Sequence, residues 1–170
     1  MIANLLIRLL TRKVYRKGHI YGPDGSLYME RFGLFETPWI EARVHHIVRP
    51  DFDREMHDHP TGFLSLVLKG SYQEARPVDI DPCFDWRHDQ EHAYLTQRRA
   101  WSIAYRHATD RHKIVEVSRG GVWTLFIFVG RRRQWWGFYT PQGKVHWRPY
   151  IAAREAEAAK RGICRRGSTR

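Results

Sequence analysis

Met56-His57-Asp58-His59-Pro60-Thr61-Gly62-Phe63 runs directly into Leu64-Ser65-Leu66-Val67-Leu68-Lys69-Gly70, and the reading of this stretch decides the rest. In an extended strand, residues two apart project from the same face. His57 and His59 can therefore aim two imidazoles at one point while Asp58 points away. Pro60 lacks an N–H and ends the ladder, and Gly62 lets the chain turn back into an apolar run. A third imidazole must come from a distant segment. His112 offers it, opening a strand just after the turn Ala108-Thr109-Asp110.

Outward from this stretch the chain reads as β. Short strands are expected over residues 40–48, 62–74, 100–106, 112–118, 122–130, 135–140 and 144–147. Turn residues separate them: Arg49-Pro50-Asp51, Arg119-Gly120-Gly121 and Pro141-Gln142-Gly143. Gly22-Pro23-Asp24-Gly25 closes a hairpin between His19-Ile20-Tyr21 and Ser26-Leu27-Tyr28-Met29. Many short strands with few crossover helices predict an antiparallel sandwich or barrel rather than a parallel sheet. Residues 77–99 break the rhythm; they are polar, hold Pro77 and Pro82, and read as an excursion beside the barrel mouth. Helices bracket the β region. Residues 2–17 place Ile2, Leu5, Leu6, Leu9 and Leu10 on one face among Arg8, Arg12, Lys13, Arg16 and Lys17. This is a helix packed on the domain or on a second subunit, or one lying on a membrane surface. An alanine-rich helix starts near Tyr150 and leads into a basic tail, Arg161–Arg170. The expected division is thus 1–17, 18–149 and 150–170.

Composition narrows the function. At 170 residues the chain is too short for a (β/α)8 barrel of roughly 250. A net charge of +11 invites anionic partners, whether nucleic acid, phosphorylated metabolite or anionic lipid. Cys83 and Cys164 are far apart with no further thiol at metal or redox spacing, which points away from a disulfide scaffold and toward a reducing cytoplasm. The apolar start, Met1 to Leu10, has its positive charges inside and after the run and no small-residue cleavage site, so it does not read as a signal peptide. No apolar run approaches the roughly 20 residues of a membrane span.

The His-x-His segment and its surroundings resemble the cupin superfamily. The first cupin motif has the form His-x-His, three or four residues, Glu, six residues, Gly. His57, His59 and Gly70 stand at those places, with Phe63 where the glutamate would be. In the second motif, His112 and Glu116 match a histidine followed four positions later by a polar residue, while His107 and Thr109 replace the usual proline and glycine. The resemblance covers about residues 40–130 and looks closest to short cupin-like proteins of phages and bacteria that carry His-Asp-His-Pro and have no settled activity. It implies an all-β, double-stranded β-helix or jelly-roll barrel, with one divalent transition metal on His57, His59 and His112. Neutral imidazoles suit Fe(II), Zn, Ni, Cu or Mn, and affinity alone does not choose. Without the glutamate, coordination positions stay open to water, dioxygen or substrate.

Other residues are candidates of lower rank. His107 or Glu74 could add a ligand. His45 and His46, being adjacent, face opposite ways, so at most one looks inward to support a ligand or touch substrate. Phe63 is expected beside the metal or in the core, and Arg43, Tyr105 and Arg106 are candidates for positioning an anionic substrate. Three functions remain open: a dioxygenase-type oxidoreductase on a small molecule, a non-redox isomerase or lyase, and a non-catalytic metal-stabilised module or phage accessory factor. The run Arg131 to Tyr139 mixes cations with aromatic rings and could serve nucleic acid in the last case, although a charged strand connection is the plainer reading. A homodimer through sheet edges is a further expectation.

Overall fold

The computed structural model describes residues 2–51, 53, 55–78, 93–132 and 135–161. Helix α1 (Ile2–Arg12) is followed by β1 (Arg16–Tyr21), β2 (Leu27–Glu36), β3 (Ile40–Ile47), β4 (Met56–His57), β5 (Gly62–Lys69), β6 (Ser71–Pro77), β7 (Ala93–Arg99), β8 (Ile103–Arg106), β9 (Lys113–Val117), β10 (Val122–Val129), β11 (Gly137–Thr140) and β12 (Gly143–His146). Helix α2 (Trp147–Lys160) comes last. The strands form a six-stranded sheet in the order β1-β2-β3-β10-β5-β8 and two three-stranded ones, β12-β11-β4 and β7-β6-β9, all antiparallel. A bridge between His57 and His112 joins the two smaller sheets: each residue's N–H donates to the other's carbonyl, at 3.0 and 3.1 Å. The fold is therefore an all-β, two-layered sandwich with a helix at each end of the described chain.

Alternation along the strands builds two apolar layers. Met29, Ile47, Val67 and Val122 of the large sheet meet Tyr72 and Ile114 of the facing one, closing the interior between the layers. On the outer face of the large sheet, Phe32, Val44 and Leu68 are capped by Ile7 of α1. Gly70 makes the corner between β5 and β6 at φ +82°, a conformation that β-carbons disfavour. A side chain there would also meet the Gly121 carbonyl oxygen at 2.5 Å.

Several boundaries differ from the sequence reading. The first helix stops at Arg12, and Arg16 and Lys17 open β1, because pairing with Gly33 and Phe32 captures them. The run expected over 62–74 is two strands bent at Gly70, and β8 starts only at Ile103, after Trp101 at φ +73°. Within the expected polar excursion, residues 93–99 form β7, paired with all of β6; an edge strand needs little apolar alternation of its own. Pro82, Cys83 and most of that excursion lie outside the described residues, as do Cys164 and the tail beyond Arg161. Helix α2 begins at Trp147, where the His146 side chain accepts from the Arg148 N–H at 3.3 Å.

Candidate metal centre

His57 is the last residue of β4, and Asp58 turns to the opposite side. There it is completely buried, accepting from the Gly137 N–H at 2.8 Å, from Lys144 Nζ at 2.6 Å and from the Tyr139 hydroxyl at 3.4 Å. This anchor pins the β11–β12 hairpin to the segment that carries the two histidines. β4 ends before His59, but the His59 N–H donates to the Ala108 carbonyl at 3.1 Å, which keeps its ring on the side of His57. The bridge to His57 brings in His112 from the far end of the sequence. The three rings form a triangle with centroids 5.1, 5.0 and 4.9 Å apart, and their nearest nitrogens all lie within 4.8 Å of one another.

The donor chemistry of this triangle fits a divalent ion. Burial, partly countered by the charge of Asp51, pulls the His57 pKa down to about 4, so its ring is neutral and free to donate a lone pair at pH 7. His59 Nε2 and His112 Nε2 stand 2.6 Å apart. Two imidazoles on one tetrahedral ion at about 2.1 Å would sit roughly 3.4 Å apart, so the rings need open by less than an ångström.

Behind His112 lies Glu74, 1% exposed. His112 Nδ1 is 2.9 Å from Glu74 Oε1, close in distance though off the line of a well-directed hydrogen bond. Arg106 grips the same carboxylate with both Nε, at 2.9 Å, and Nη2, and Arg98 Nε stands 3.5 Å away. Burial alone would raise the Glu74 pKa; contacts with His112 and Arg106 more than reverse it, so the group is an anion. Glu74 thus holds His112 from behind. Asp51 stands farther from His57, 4.0 Å from its Nδ1 and beyond hydrogen-bond reach, as a nearby negative charge, and is itself fixed by the Ile114 N–H at 2.7 Å and by the Tyr28 hydroxyl.

The remaining sequence candidates separate cleanly. His107 is exposed and bonded to Thr109 Oγ1 at 2.9 Å, a turn residue outside the triangle. Phe63 is buried with its ring 4.7 Å from that of His59, backing the histidine rather than lining the open space. Arg106 is spent on Glu74. Tyr105, expected in the pocket, is 60% exposed on the outer face, because it pairs with outward Leu64 while Arg106 pairs with inward Phe63. His46 also faces out, stacked on Trp123 at 4.2 Å and bonded to Glu30 at 3.0 Å.

His45 and Arg43 do point inward. With the three histidines they line a cavity of about 850 Å³. His45 packs against Phe126 with centroids 4.6 Å apart, and among the described residues neither of its ring nitrogens has a hydrogen-bond partner. Burial, then the charges of Arg31 and Arg43, pulls its pKa down to about 3. Sequence reasoning passed over Arg31, which shares this cavity. Its only signal was its place two residues beyond Met29 in the same strand phase.

No protein-family model matches the chain, and no curated protein matches it. Solved structures resemble it. A protein provisionally named a mannose-6-phosphate isomerase, from Ralstonia eutropha JMP134, superimposes with a TM-score of 0.46 at 12% identity, over 70% of this chain and 90% of its own. Hydroxypropylphosphonic acid epoxidase from S. wedmorenis gives 0.46 at 13%, over 67% of this chain and 55% of its own. Oxalate decarboxylase from Lactobacillus farciminis gives 0.46 at 12%, over 68% and 30%. At these identities the likeness concerns the fold alone.

Proposed function

We propose that the chain is a mononuclear metal-binding cupin that acts, as a dioxygenase-type oxidoreductase, on a small molecule in a cytoplasmic setting. One observation carries this reading: three imidazoles converge at the wall of a cavity large enough for a metabolite. His57, His59 and His112 would hold one divalent ion, Fe(II), Zn, Ni or Mn. Such an ion supplies a Lewis acid and a binding position for dioxygen or an anionic ligand. The chain's own residues do the rest. Glu74 stands directly behind His112 to orient its ring, and the Asp51 carboxylate adds a negative charge near His57. Phe63 occupies the place of a cupin carboxylate and, being apolar, leaves coordination positions unfilled. Phe126 and Phe138 give the cavity dry walls.

Elemental analysis of protein purified under anaerobic handling tests the ligand set. Wild type is expected to hold about one equivalent of transition metal, and His57→Ala or His59→Ala a small fraction of it, with the fold retained. Full metal content in both variants would remove the site. Oxygen consumption by the Fe(II)-loaded protein across a metabolite screen then separates the oxygenase from a non-redox cupin.

A further inference from the structure

The cavity has a second chemical pole. Arg31 on β2 stands directly opposite His45 on β3, and Arg43, two residues along β3, stands opposite Gly33. All three line the same space as the three histidines. Positive charge here exceeds its answer. Glu41 is shared between Arg43 and Arg132, whereas the Arg31 guanidinium makes no hydrogen bond or ion pair among the described residues. It stands instead in the repulsive field of Arg43 and Arg16, relieved by Glu41 at a distance. Beside it, His45 is 6% exposed, and among the described residues neither ring nitrogen has a partner. A neutral imidazole always carries one N–H, so it can still donate. A cation and a buried donor that, among the described residues, have no hydrogen-bond acceptor stand side by side and are together complementary to an oxyanion.

Position links this pole to the metal centre. Phe126 touches His45 at 4.6 Å, Phe63 lies 5.0 Å beyond Phe126, and His59 lies 4.7 Å beyond Phe63. Two phenyl rings thus stand between the unpartnered histidine and the candidate ligands. Arg43 packs its guanidinium over the Phe128 ring at 5.6 Å, which holds the fork at the cavity wall.

We propose that Arg31, Arg43 and His45 form an oxyanion subsite that holds the carboxylate or phosphate group of a small molecule, whose other end reaches the three histidines. The subsite rests on the functional reading above only where the other end of the ligand reaches the three histidines. The substrate class is therefore a small acid or phosphate ester with its reactive part separated from the anionic group.

The test uses metal-free protein, so that no anion can bind through an ion. Inorganic phosphate in one arm and succinate in the other are titrated calorimetrically into wild type, Arg31→Gln, Arg31→Lys and Arg8→Gln. Arg8 is an exposed cation of α1 and controls for the overall charge. The expected result is saturable binding of at least one anion with one site per chain. Arg31→Gln should weaken it tenfold or more, Arg31→Lys less, and Arg8→Gln not at all. The preferred arm tells phosphate from carboxylate. The proposal is overturned if neither anion saturates wild type, if Arg31→Gln binds as wild type does, or if Arg8→Gln loses as much. Reloading each variant with Zn keeps the two readings apart. Anion binding that fails beside full Zn uptake overturns the subsite alone, and Zn uptake that fails beside intact anion binding overturns the metal centre alone.

Discussion

Replacing His45 with phenylalanine should change how the protein responds to acid, by an amount that follows from its surroundings. In the unfolded chain the ring titrates near 6.5. In the folded protein burial, with help from Arg31 and Arg43, lowers that to about 3. Above pH 6.5 the ring is neutral in both states and contributes nothing to the pH dependence. Between 6.5 and 3 the unfolded chain binds a proton that the native state refuses, so native stability falls as pH falls. Each unit is worth about 1.4 kcal/mol, which makes the loss about 3 kcal/mol by pH 4. Phenylalanine keeps the ring against Phe126 and Phe128 and removes both the titration and two unpaired nitrogens, whose burial costs about 1–3 kcal/mol. His45→Phe should thus be modestly more stable at pH 7 and more stable by a further 3 kcal/mol or so at pH 4. Urea denaturation of metal-free protein at pH 7, 5.5 and 4 measures this, because only the difference between wild type and variant is read and the other histidines cancel. Parallel stability curves for the two proteins would refute the reasoning, showing that His45 takes up a proton in the native state as easily as in the unfolded one.

Glu74→Gln removes the anion behind His112 and leaves Arg106 buried without its counter-charge; metal affinity by chelator competition should fall about 10- to 100-fold and stability by about 3 kcal/mol, and unchanged affinity would show that Glu74 does not orient the ligand. Gly70→Ala forces a β-carbon into a positive-φ corner 2.5 Å from the Gly121 carbonyl oxygen; denaturant midpoints should report a loss of more than about 1 kcal/mol, and an unaffected midpoint would mean the corner relaxes freely.

How far the sequence could be read depended on the range of the signal. His57, His59 and the strand after them were legible because spacing two apart and a proline stop are local facts, and His112 followed from a turn and a strand start. Where a side chain points was legible only when the phase of its strand was. Tyr105 and Arg106 lie in a strand whose start is set by Trp101 at φ +73°, and a misjudged phase exchanges the two faces at once. Arg31 was hidden too. Its strand, β2, keeps one register with β3 from Met29 to Gly33, but a charged residue breaks the apolar alternation that Met29 begins, so the phase alone gives little notice that an arginine points inward. The Glu74 cluster with Arg98, Arg106 and His112 joins four strands or strand ends. No local pattern encodes such a meeting.

The interior polar groups are divided along the fold's own seam. The three histidines come from β4, the segment after it and the residue just before β9, on the side of the sandwich built from the smaller sheets. Their supporting charges are anions, Glu74 and Asp51. Arg31, Arg43 and His45 come from β2 and β3 of the large sheet, and the charges that perturb His45 there are cations. Anions behind an imidazole strengthen it as a donor to a cation, while burial first, and then the cations beside it, keep His45 neutral and leave its N–H for an acceptor. On the two proposals above, the same residue type would serve opposite tasks on the two walls of one cavity. The Arg31–His45 arrangement does not serve stability, since a buried imidazole and a guanidinium without hydrogen-bond partners among the described residues both cost free energy in the folded chain. A protein selected for stability alone would fill those positions with apolar residues, as it does at Met29 and Ile47 in the same strands. The cost is localised at His45 and Arg31, in the cavity that the three histidines also line, and a small acidic ligand bound there would relieve it.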